Sequence, residues 1–129
     1  MPMIGKWLAF ILLFASIHAR AEEARVIGTF SNLEFIEESG DLVGMEIKIV
    51  PTGDRYQAAV IVSEGAPNAM VVVDVRVDGT SIEFEVPAAD AGWKFSGRVT
   101  AKSLSGMVTY ASGQTEKVIL PRQCGYWDR

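Results

Sequence analysis

Histidine and cysteine are almost missing from this chain of 129 residues, which holds one of each, His18 and Cys124. A lone cysteine has no partner for an internal disulfide, so stability must come from packing. Cys124 is therefore expected as a small, partly buried apolar residue, with pairing between chains or thiol reactivity as the alternatives. Long hydrophobic runs are missing too. The longest, Trp7 to Ile17, has about eleven residues, roughly half of the ~20 that a membrane-spanning helix needs.

That short run is read as the core of a secretory signal peptide. Lys6 precedes it, and Ala19 and Ala21 supply the small-x-small pattern of a cleavage site. The expectation is a leader over residues 1–21, a single exported domain over 22–129, and a periplasmic or secreted location. No cysteine sits at the cleavage site, so no lipid-modified N-terminus is expected and no stable membrane anchor remains after cleavage. Cleavage would remove His18, Lys6 and Arg20. The exported domain then has no histidine, which leaves no Ser-His-Asp or Cys-His nucleophile system and no His-based metal site. Its charge shifts from −4 to −6, with 10 basic residues against 16 acidic ones. An acidic domain without a basic run is a poor partner for nucleic acid or anionic lipid.

The sequence does hold short β-branched, alternating runs broken by turn residues. They lie at Arg25–Glu37, Val43–Val50, Tyr56–Ser63, Met70–Val77, Ser81–Val86, Trp93–Ala101, Leu104–Tyr110 and Glu116–Leu120. The alternation is clear where Ile82, Phe84 and Val86 interleave with Glu83 and Glu85. Asp78-Gly79 reads as the dipeptide of a type I′ hairpin turn. Gly97 and Gly106 fall inside consecutive runs, where glycine marks a strong bend or a close backbone approach. The expected fold is all-β. It is an antiparallel meander of about eight strands forming a small closed or nearly closed barrel.

Three segments carry a resemblance. They are Gly28-Thr29-Phe30-Ser31-Asn32-Leu33, the turn Glu37-Glu38-Ser39-Gly40-Asp41, and the close of the chain at Leu120-Pro121-Arg122 with Tyr126-Trp127-Asp128. Together they resemble a group of small exported bacterial β-meander proteins of uncharacterised function, with Glu-Ser-Gly-Asp in the first turn and Tyr-Trp near the end. The resemblance implies an envelope or secreted meander and brings no catalytic residues. In architecture alone the chain is similar to lipocalin-like barrels and to small bacterial metalloprotease inhibitors, though it cannot form an internal disulfide.

Candidate sites are few. Glu34, Glu37, Glu38, Asp41 and Glu46 form the densest acidic region. Their spacing is too irregular for a calcium loop, and they are read as a solvated hairpin tip. In the first run Phe30, Asn32, Glu34 and Ile36 would share one face. If that face lines the interior, Asn32 and Glu34 need partners, and Tyr56 and Gln57 would supply them. Those four residues are the candidate ligand site. Arg122, Tyr126 and Trp127 are read as a structural plug at one end, with Arg122 pairing a carboxylate or covering an aromatic face. No catalytic residue, metal or cofactor is assigned. The expected role is a non-enzymatic binding module for a small apolar ligand. The alternative is an envelope protein-interaction module or inhibitor that acts through an exposed loop or edge.

Overall fold

The computed structural model describes residues 25–126; the expected leader over 1–21, His18 and Trp127 lie outside the described residues. The alternating runs become nine strands: β1 (Gly28–Ser31), β2 (Glu34–Ile36), β3 (Asp41–Thr52), β4 (Arg55–Gly65), β5 (Val71–Asp78), β6 (Ser81–Val86), β7 (Trp93–Val99), β8 (Ser103–Tyr110) and β9 (Thr115–Gln123). A single 3-10 turn at Ala88–Asp90 interrupts them. Every neighbouring pair is antiparallel, from β3 through to β9. β1 bonds β9 on one side and β3 on the other, so eight strands close a barrel. Among the described residues no helix is long and apolar enough to cross a membrane.

The first run divides into β1 and β2. Both pair β3 in one continuous register, Ser31 opposite Glu46 and Glu34 opposite Val43. At the break the Asn32 amide N–H donates to the Met45 carbonyl (3.1 Å), while the Met45 N–H donates to the Asn32 side-chain Oδ1 (2.7 Å). A side-chain oxygen thus occupies a rung that backbone would normally fill. Gly44 makes room for it. A Cβ there would stand 2.6 Å from Oδ1, and its φ of +123° is one that few other residues adopt. β1 meets β9 only at Thr29 and Phe30. Beyond that point the strand leaves the barrel wall, and β2 lies alongside β3 alone.

The barrel interior is filled by apolar side chains. Phe30, Ile47, Ile49, Ala58, Ile82, Leu104, Val108 and Leu120 are fully enclosed. Gly97 and Gly106 face each other across β7 and β8. The Phe95 ring lies over the pair, and a Cβ on either glycine would meet it within 2.7 Å. The wall can therefore bend sharply inward while an aromatic ring fills the space the glycines leave. Phe95 also stacks on Phe84 (5.1 Å), and Phe84 meets Trp93 edge-on at 5.7 Å.

One end of the barrel is sealed. Arg122 places its guanidinium 4.7 Å from the centre of the Phe30 ring. It donates to the carbonyls of Ile27 (3.0 Å), Thr100 (3.1 Å) and Arg25. Val26 is buried beside this seal. Each such charge-assisted bond contributes about 1.5–3 kcal/mol in favourable settings.

Three details depart from expectation. The β5–β6 turn centres on Gly79-Thr80, because Asp78 and Ser81 form the last rung. Of the two central residues only Gly79 has positive φ (60°), so the turn is not type I′, which needs positive φ at both. Cys124 is exposed rather than partly buried, since it follows β9 where the ladder has ended. Tyr126 is 79 % exposed and lies on the surface, so it does not fill the barrel end.

The glycine pair gives a direct test. In Gly106→Ala the new methyl would stand 2.5 Å from the Ser96 carbonyl oxygen and 2.8 Å from the Gly97 Cα, both backbone atoms that cannot swing aside. The expected cost is about 1–3 kcal/mol in urea unfolding. A variant as stable as the parent would show that the strands do not approach so closely.

Candidate functional site

The meander places alternate turns at opposite ends. Residues 53–54, 79–80 and 100–102 surround the sealed end. Residues 37–40, 66–70, 87–92 and 111–114 surround the other. That second end is open and holds a cavity of about 380 Å³. Its wall is apolar: Met45, Val60, Val62, Val71, Val86, Trp93 and Val108. Its polar lining groups are Glu64, Asn68, Asp90 and Tyr110. An apolar concavity with a few polar groups at its rim is the usual form of a small-molecule site, and this volume lies toward the lower end of such pockets.

Trp93 and Tyr110 are directly opposite each other on β7 and β8, and both line the mouth. The Tyr110 hydroxyl donates to Glu116 Oε2 at 2.6 Å. This bond, followed by burial and the negative charges of Glu116 and Glu64, pushes the phenol from 10.0 up to about 12. Tyr110 therefore stays neutral over the physiological range with its proton already committed. Among the described residues no lysine, arginine or histidine lines the cavity.

The wall beside the mouth is parted between β5 and β6. Their ladder holds only three rungs, Arg76–Glu83, Val77–Ile82 and Asp78–Ser81. The charges explain where it stops. Arg76 and Glu83 on the last rung form an ion pair at 3.3 Å. The next position of the same alternation would set Asp74 against Glu85, and like charges directly opposite destabilise a pair. Two residues further on stands Pro87, which has no N–H to give. The upper halves of β5 and β6 consequently bond only their outer neighbours, β4 and β7. Met70 (59 % exposed) and Val72 (56 %) lie beside this slit.

The four candidate ligand residues are not brought together. Asn32 is exposed, and its side-chain oxygen is spent on Met45. Glu34 is exposed on β2. Gln57 lies across β3 from them, opposite Val50, and donates to Asp74 Oδ1 at 3.3 Å. Tyr56 packs against the core near the sealed end. The five-residue offset between Met45 and Val50 on β3 separates Asn32 from Gln57 by about 17 Å along the strand. Of the acidic group, Glu37 and Glu38 occupy the exposed turn, Glu34 and Asp41 flank it, and Glu46 lies further along β3 opposite Ser31. Arg122 is the seal, and it covers the Phe30 face.

Sequence reasoning did not assign the residues of the mouth as the site. Its residues come from the ends of six different strands and two loops, so no local run announces them. The usable signal was the topology: in a meander, the residues before and after every second turn converge. No protein-family model, curated protein or solved structure matches this chain, and the functional reading rests on the geometry.

The fold favours the protonated Tyr110, so this contribution to stability is complete below pH 10. It is lost as pH rises from about 10 through about 12. Absorbance titration should show one tyrosine ionising near pH 12, and Tyr110→Phe should remove that step. If every tyrosine ionises near pH 10, the Glu116 bond is not formed in solution.

Proposed function

We propose that this protein is an exported, non-enzymatic binding module that takes a small apolar molecule into the open mouth of its barrel. The observation that carries the reading is the cavity of about 380 Å³ with a predominantly apolar wall, set above a packed and sealed interior. Burying a ligand there would release water from valine and tryptophan surface, worth roughly 25 cal/mol per Å². Export, by way of the leader over 1–21, places the protein in the periplasm or outside the cell, in keeping with its resemblance to small exported bacterial meander proteins.

A second reading has its own observation, the parted β5 edge. By antiparallel alternation the N–H and C=O groups of Val72 and Asp74 point at β6, which does not pair with them. An envelope protein could add a strand there, and the protein would then act as an interaction module or inhibitor.

One experiment separates the two. Native mass spectrometry of the protein purified from its own host should reveal a bound small molecule. Val62→Trp, which fills the mouth, should abolish that added mass. A bare protein that also takes up no polarity-sensitive apolar dye would refute the mouth reading. A stoichiometric protein partner lost in Val72→Pro would establish the second.

A further inference from the structure

The chemistry of the mouth narrows the ligand class, an argument that rests on the mouth being a binding site. From its lining and geometry we infer that the cavity receives a cationic amphiphile: an apolar chain or ring system carrying an ammonium group that stays at the rim. The apolar wall accounts for the body of such a molecule. The head is specified by three features of the rim. Glu64 and Asp90 line the cavity, and among the described residues no basic side chain lines it to offset them. Trp93 and Tyr110 are register partners on β7 and β8 and both line the cavity, and aromatic ring faces attract a cation within about 6 Å. The Tyr110 hydroxyl already gives its proton to Glu116, so it offers an incoming head group only lone pairs. Aromatic faces beside carboxylates are the chemistry that recognises ammonium.

A carboxylate or sulfate head would meet the opposite. It would face two like charges with only the Asn68 amide and backbone N–H groups to receive it. An alcohol would lie between the two. Near a protein surface the Coulomb terms are modest and screened by salt, so the preference should be about tenfold or more at low ionic strength and shrink as salt is added.

The test uses three probes with one tail: decyltrimethylammonium, decanol and decanoate, each titrated calorimetrically into the protein after any co-purified small molecule has been removed, below micelle-forming concentrations. The expected order is ammonium tightest, decanol intermediate and decanoate weakest, with roughly tenfold or more between the extremes. The double variant Glu64→Gln, Asp90→Asn should lose most of the preference for the cation over decanol, whatever change it makes to decanol binding itself. Decanoate binding as tightly as the ammonium compound would overturn the inference while leaving the apolar site standing. An unchanged preference in a double variant that still binds decanol would overturn the role of these carboxylates. If none of the three binds, the mouth reading fails, and the inference with it.

Discussion

Closure of this barrel depends on a four-residue strand bonded on both edges. Gly28–Ser31 pairs Glu46–Ile49 of β3 on one side and Arg122–Gln123 of β9 on the other. The strand is too short to hold two ladders by backbone alone, and side chains complete the joint. Phe30 is wholly enclosed, Arg122 covers its ring, and the same guanidinium draws in carbonyls from the N-terminal segment and the β7–β8 turn. Gln123 adds a bond from its side chain to the Ser31 carbonyl (3.1 Å). The sealing group and the closing rung are thus one residue, so the end where the barrel closes is also the end that excludes water.

The open end follows from the same arrangement. Past Phe30 the first run has no backbone ladder with β9, and it departs along β3 with the Asn32 side chain standing in for a backbone rung. On the far wall β5 and β6 part where Asp74 would face Glu85. Two interruptions, one steric and one electrostatic, stop the walls from converging. Met45, Val62 and Val71 are left partly exposed around the mouth instead of buried in a second plug. Edge strands normally invite aggregation, and the carboxylates at the slit oppose a second copy of the same acidic edge.

Most of the fold was legible in the sequence, because period-two alternation and turn residues act locally. Ile82, Phe84 and Val86 read directly as an inward face, and the glycines at 97 and 106 as a point of curvature. The first run misled because its register is continuous while its environment is not. Phe30 is inside the barrel and Glu34, four residues on, is outside it. No sequence period records a strand leaving a sheet. The type of the β5–β6 turn was misjudged for a related reason, since the register of the flanking rungs decides which two residues are central. The mouth was invisible because Val62, Val86, Trp93 and Tyr110 become neighbours only when four hairpins close on one another. The Arg122 seal was half legible: its aromatic partner was foreseen in kind, but the carbonyls it gathers come from distant parts of the chain.

The barrel has one asymmetry, a seal at one end and an open apolar cavity at the other. Methyl NMR of the protein titrated with decanol tests it most directly. If the mouth binds, saturable shifts are expected at Val62, Val71, Val86 and Val108 around it, with Val26 and Leu120 near the seal unmoved. Shifts confined to the outer face at Val72 and Ile119, or no saturable shift at all, would contradict it.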